Sequence, residues 1–335
     1  MFKRETQKGI TLISLVITII ILLILALVAI NLAVDSNGLF RKAGDSANQW
    51  NTSVAEEEDT IKNLLWELEK VSGVATIEDT VYETLQEAID AVPMDGTQTT
   101  ITLLKDITEC TTIQEGQNIV LELNGKTIKN SDSNVCTIVN NGELILKNGT
   151  VIQDSSDYWN IVAIDIYGTC EIAEGASIEG GLISGSATIN IAGGYVDQAW
   201  VHSTGILNIT DGNVDWIEGG FYGEINMTGG IAKQVNIDDD TVFKMSGGQI
   251  IAEDYSAIRT YHSSVYISGD AYIENNSSSR GTIYIGQSRG EYLEISEGTI
   301  INKSGYKSIE LFSTLHSSSS IVITGTPTIE PAYEE

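Results

Sequence analysis

Proline is scarce in this 335-residue chain, 3 residues against 32 glycines. With many Thr, Ile, Val, Ser and Asn around them, that balance favours short strands joined by tight turns over a helical protein. Bases are also few: 18 Lys+Arg face 46 Asp+Glu, a formal net charge of −28. A polyanion repels phosphate backbones and anionic headgroups, which argues against nucleic acid as a direct partner. The three histidines, His202, His262 and His316, lie scattered among serines and belong to no nucleophile motif. Three cysteines cannot all pair within the chain, and no CxxC spacing offers a metal site. Cys110 and Cys136 each stand six residues before a glycine, Gly116 and Gly142. That shared register predicts buried thiols stacked in neighbouring coils, while a disulfide stays open.

What the chain has in excess is one apolar run. Residues 10–34, ITLISLVITIIILLILALVAINLAV, carry no charge and as a helix are long enough for ~30 Å of hydrocarbon. The run is too long for the core of a secretory signal peptide. Lys3, Arg4 and Lys8 precede it and Asp35 follows, which predicts a single-pass anchor with its N-terminus in the cytoplasm and the rest of the chain outside.

Lys8-Gly9-Ile10-Thr11-Leu12-Ile13-Ser14-Leu15 resembles the leader and cleavage site of type IV prepilins. The resemblance implies cleavage by a prepilin peptidase after Gly9, a mature and methylated Ile10, and assembly with other pilin-like subunits. It also implies Glu at the fifth mature position, where this chain has Ser14; the intramembrane cost of that carboxylate is avoided and its handle for assembly is lost. A plain single-pass anchor is the other reading. Ala47, Val54, Ile61 and Leu68 then recur every seven residues, a stripe that needs a packing partner. Glu56, Glu57, Glu58 and Asp59 read as a solvated face.

Beyond residue 72 the pattern changes. Thr80-x-x-Glu83 reads as a capping box before a short helix carrying Val81, Leu85, Ala88, Ile89 and Val92 on one face, ended by Pro93 and Gly96. Strand-like runs follow at 99–104, 118–123 and 144–146, with Asn124-Gly125 as a turn. The helix would cap the open end of a coil stack. IAGGYV, ITDGNV, MTGGIA and MSGGQI then place Gly194, Gly212, Gly230 and Gly248 at a constant step of 18. Ile189, Leu207, Ile225 and Phe243 keep that step, as do Ile191, Ile209, Met227 and Met245, with Asn190, Asn208, Asn226 and Lys244 between them. Two inward columns, an alternating outward column and a turn glycine specify a stacked solenoid. Later variants stand 28 residues apart, Asp270 to Gly298 to Thr326, so those coils carry longer connections.

The fold expected is mainly β: a pilin-like membrane helix followed by a single-stranded parallel β-helix. A strict six-residue period is absent, which favours the right-handed, pectate-lyase-like form. The expected divisions are 1–9 leader, 10–72 helix, 73–130 cap and first strands, and 131–335 β-helix.

No catalytic set of clustered Asp with Arg, Lys or His is legible, so no enzyme is expected, and no cofactor or metal motif stands out. Asp211-x-Asn213-x-Asp215 begins like a calcium loop, but Trp216 replaces the required glycine and Tyr222 the closing Glu. Asp238-Asp239-Asp240 reads as a solvated turn. Trp159, Trp200, Trp216, Phe221, Tyr222 and Tyr266 lie near strand ends, and rings beside Asn and Asp suit glycans. The expected function is a cell-surface, membrane-anchored minor pilin or pseudopilin that displays an acidic β-helix for adhesion or structural contact with glycans or a surface protein. The alternative is a tethered β-helix that binds or degrades polysaccharide.

Overall fold

The computed structural model describes residues 12–34, 57, 60–62, 72–154, 161–286, 290–312, 314 and 316–333. The chain divides into two compact units, Met1–Leu68 and Glu69–Glu335. The expected Gly9–Ile10 site and most of the seven-residue stripe lie outside the described residues.

In the first unit Leu12–Val34 is a 23-residue helix without a charged side chain. β-Branched and Leu residues around its whole circumference leave no polar face, and Leu12 to Val28 are exposed. Among the described residues no helix is long and apolar enough to cross a membrane, so the expected span rests on the sequence of 10–34.

The second unit is a stack of coils whose parallel strands form three columns, the arrangement of a parallel β-helix. The first column runs from Gln98–Leu103 through Asn118–Glu122 and Glu143–Lys147 to Ser320–Ile323. A second runs from Ile107–Thr108 to Thr328–Glu330, and a third from Thr111–Ile113 to Ile309–Leu311. Thr188–Val201 and Ile206–Gly219 each cross all three faces and bend at irregularities between Ile191 and Tyr195. The stack passes 130/131 without a break, because Thr127–Asn130 pairs with Thr150–Gln153.

The 18-residue step is the coil. Ile189, Leu207, Ile225 and Phe243 are in direct register and fully buried, as are Ile191, Ile209 and Met227. The outward column is a ladder of amides: Asn208 Nδ2 donates to Asn190 Oδ1 at 2.9 Å, and Asn226 Nδ2 to Asn208 Oδ1 at 3.1 Å. The turn glycines are needed twice over. Gly194 has φ +72, and a Cβ there would lie 2.4 Å from the carbonyl oxygen of Ala176 in the coil below.

At the N-terminal end Leu85–Asp90 forms the expected cap. It buries Leu85, Ala88 and Ile89, and Gln117 Nε2 donates to the carbonyls of Ile89 and Val92 at 2.6 and 3.2 Å. Ala75–Thr76 pairs antiparallel with the first coil strand and so occupies its open edge.

Two expectations are corrected. The capping box is Thr84-x-x-Glu87, not Thr80-x-x-Glu83: Thr84 Oγ1 accepts from Glu87 N and Glu87 Oε2 from Thr84 N. The earlier segment is captured as strand Thr80–Tyr82 by pairing with Ala75–Ile77. The cysteines do not stack inside together. Cys110 is exposed, Cys136 is half-buried and Cys170 is buried, all as free thiols. The inward places beside the first two belong to Thr111, Ile113, Ile138 and Asn140; Cys170 shares an inward column with Leu144 and Ile189.

Candidate ligand-binding face

Parallel, in-register stacking turns a step in sequence into a column in space. On the third face the outward column reads Ile183, Trp200, Glu218, Asn236, Arg259, Tyr284, Glu310. At the ~4.8 Å spacing of paired strands, each side chain lies beside the next. The first five floor a groove of about 570 Å³, whose rim includes His202, Phe221, Asp238 and Tyr261 from the turns that follow each strand. Trp200 is 7% exposed and Phe221 61%, so one ring is set into the floor and the other stands free at the edge.

The corner carrying that rim is unlike the glycine corner. Its turns place non-glycine residues in the left-handed region: Ser203, Phe221, Tyr222, Asp239, Asp240 and His262, with φ from +48 to +72. A bulky residue there is a genuine outlier costing about 1–2 kcal/mol. Such strain points to a use for the side chains.

The same groove gathers two carboxylates and a guanidinium. Burial pushes the Glu218 carboxyl up, as does the charge of Asp238, against hydrogen bonds with Trp216 and Asn236; Trp216 Nε1 donates to Glu218 Oε1 at 3.1 Å. Asp238 is also raised, by burial and then by Asp239. Arg259 donates to the Tyr261 hydroxyl at 2.7 Å and lies over the Tyr261 and Tyr284 rings, 5.4 and 5.9 Å from their centroids. The groove thus offers ring faces, acceptors and a guanidinium, the set that recognises sugar hydroxyls and apolar sugar faces.

The expected site residues fall in different places. Gly9 and Ile10 lie outside the described residues, as does Trp159. Ser14 is exposed on Leu12–Val34, and its carbonyl accepts from Thr18 Oγ1 at 2.5 Å. Asp215 is engaged by Lys233 at 2.7 Å and by the Tyr195 hydroxyl at 3.0 Å. No cluster of His, Cys, Asp and Glu fit for a metal occurs among the described residues. Asp238, Asp239 and Asp240 are all exposed where the coil turns, as expected. Tyr266 packs against Tyr292 on the first face, centroids 5.4 Å apart, away from the groove. Trp200, Phe221 and Asp238 do converge. Glu218, Asn236, Arg259 and Tyr261 were not singled out by sequence, yet 200, 218 and 236 repeat the 18-residue step of the glycines.

No family model, curated protein or solved structure matches the chain.

Proposed function

We propose that this chain is a membrane-anchored, pilin-like surface protein whose right-handed β-helix presents a glycan-binding face. The carrying observation is the third-face groove, floored by Trp200, Glu218, Asn236 and Arg259 and edged by Phe221. The anchor is supported by the sequence of residues 10–34, an uncharged apolar run preceded by Lys3, Arg4 and Lys8. The right hand is supported by the absence of a strict six-residue period and by the general preference of parallel crossovers, right-handed in ~98% of cases. The prepilin reading is supported by Lys8-Gly9-Ile10 before the apolar run.

Two tests follow. Full-length protein in uncharged detergent should bind a subset of immobilised oligosaccharides, and Phe221→Ala should lose most of that binding with its unfolding midpoint kept; no binding to any glycan would end the reading. Mass spectrometry of the mature chain should find Ile10 first, and Gly9→Val should leave Met1 in place.

The groove also favours a second reading. Glu218 with a raised proton affinity beside Asp238 is the kind of carboxylate pair that glycoside hydrolysis uses. Release of reducing ends from a bound polysaccharide, abolished by Glu218→Gln, would convert the binding face into an active site.

A further inference from the structure

Arginine is concentrated in one part of the coil stack. After Leu68 the sequence holds only Arg259, Arg280 and Arg289, and the last lies outside the described residues. Arg259 comes from the third face and Arg280 from the connection leading to Ile283–Ile285. Together with Tyr255, Ser256 and Tyr284 they line a second cavity, of about 260 Å³.

The surroundings make this pair unusual. Acids outnumber bases 46 to 18, and four lysines have found carboxylates: Lys129 with Asp154, Lys233 with Asp215, Lys244 with Glu224 and Lys303 with Glu274, at 2.7–3.1 Å. Among the described residues neither Arg259 nor Arg280 has a carboxylate partner. Glu310, the nearby acid, forms no ion pair with either arginine and accepts instead from the Gly281 amide at 2.7 Å and the Tyr306 hydroxyl at 3.3 Å. Arg259 is held by the Tyr261 hydroxyl and two rings, but neither guanidinium is neutralised by a carboxylate, so two positive charges line one cavity of a polyanion.

We infer that this cavity is a subsite for a phosphate monoester carried by the glycan. Two guanidiniums match a dianion in charge, whereas a carboxylate leaves one charge uncompensated. The Ser and Tyr hydroxyls on the wall add donors in directions that a tetrahedral oxyanion can use and a planar carboxylate uses less well. Size agrees. A cavity of about 260 Å³ has room for a phosphate group. The 570 Å³ groove also lined by Arg259 takes the ring. The inference rests on the glycan-binding reading for what carries the phosphate.

The test uses full-length protein in uncharged detergent, with inorganic phosphate and glucose 6-phosphate followed by ³¹P NMR, and glucose and glucuronate followed by saturation transfer. Glucose 6-phosphate should bind tightest. Arg280→Gln, at an exposed position, should weaken both phosphates at least ~10-fold, the worth of a charged hydrogen bond. Lys303→Gln should leave them unchanged. Phosphate binding that ignores Arg280→Gln, or that falls equally in Lys303→Gln, overturns the subsite. Glucuronate binding as well as glucose 6-phosphate overturns the phosphate assignment. Glucose bound as tightly as its phosphate overturns the subsite and spares the glycan groove. Inorganic phosphate bound at Arg280, with every sugar ring adding nothing, supports the subsite and overturns the groove's glycan reading.

Discussion

Ile209→Ala and Asn208→Ala change neighbouring residues of one strand, yet the coil register assigns them very different costs. Ile209 is fully buried between Ile191 and Met227. Alanine removes three buried carbons, about 2.4 kcal/mol at ~0.8 kcal/mol each. The hole adds about 1–2 kcal/mol if the walls stay put. Met227 is the one flexible wall in that column and can lean into the gap, so the expected loss is about 3 kcal/mol. Asn208 is the middle rung of the amide ladder and half-exposed. Water can replace it at Asn190 and Asn226, which limits the loss to about 1 kcal/mol. Urea unfolding of the full chain in detergent, followed by tryptophan fluorescence, should show a midpoint shift about three times larger for Ile209→Ala at unchanged slope. Because a solenoid holds each coil mainly through its neighbours, amide exchange should accelerate first around 188–227. Equal shifts, or a larger one for Asn208→Ala, would refute the register.

Phe221→Gly should stabilise the stack by about 0.5 kcal/mol, as relief of left-handed strain outweighs the added freedom of the unfolded chain, and should weaken glycan binding; a lower unfolding midpoint would count against the φ of +50 at that residue. Glu218 keeps its proton to higher pH when folded than the ordinary 4.5, so stability present below 4.5 is lost as pH rises through the folded value. Glu218→Gln should therefore unfold later than the parent at pH 7 and with it at pH 4. A maleimide should label Cys110 first and Cys136 more slowly, with Cys170 reacting only in denaturant, since burial pushes that thiol up to about 12; rapid labelling of Cys170 in the folded chain would contradict its place in the core.

Much of the stack was legible because its rules are periodic. Gly194, Gly212, Gly230 and Gly248 announce the coil, and alternation around them sorts Ile209 inward and Asn208 outward with no further information. The cap shows the limit of local pattern. Thr80-x-x-Glu83 and Thr84-x-x-Glu87 carry the same signal four residues apart, and a tertiary event, the pairing of Thr80–Tyr82 with Ala75–Ile77, decides between them. The cysteines show another limit, since their matched distance to a glycine says nothing about which way a corner residue points. The groove was half legible. Trp200, Phe221 and Asp238 drew notice for chemistry of their own, whereas Glu218, Asn236 and Arg259 look like ordinary surface residues until the coil step places them beside Trp200. Arg259 is the hardest of these, because the coil lengthens after Asn236 and breaks the 18-residue count.

The two contrasting corners suggest where selection has acted in this fold. Both must reverse the chain within a few residues, and both need positive φ. At the corner between the first and second faces asparagine supplies it at Asn148 and glycine in the later coils, where the close approach of Ala176 to Gly194 leaves no room for a side chain. At the corner after the third face glycine would serve the backbone at lower cost, since Phe221 and Tyr222 hold positive φ and are largely exposed. A purely structural coil would drift toward glycine or asparagine there. Strained, exposed rings retained beside a groove that also gathers Glu218, Asp238 and Arg259 are what a binding surface requires: side chains held outward on a backbone too tightly hydrogen-bonded to let them collapse. On the proposed glycan-binding reading, the stability for that arrangement comes from the inward columns, and the recognition would come from the one corner that gives some of it up.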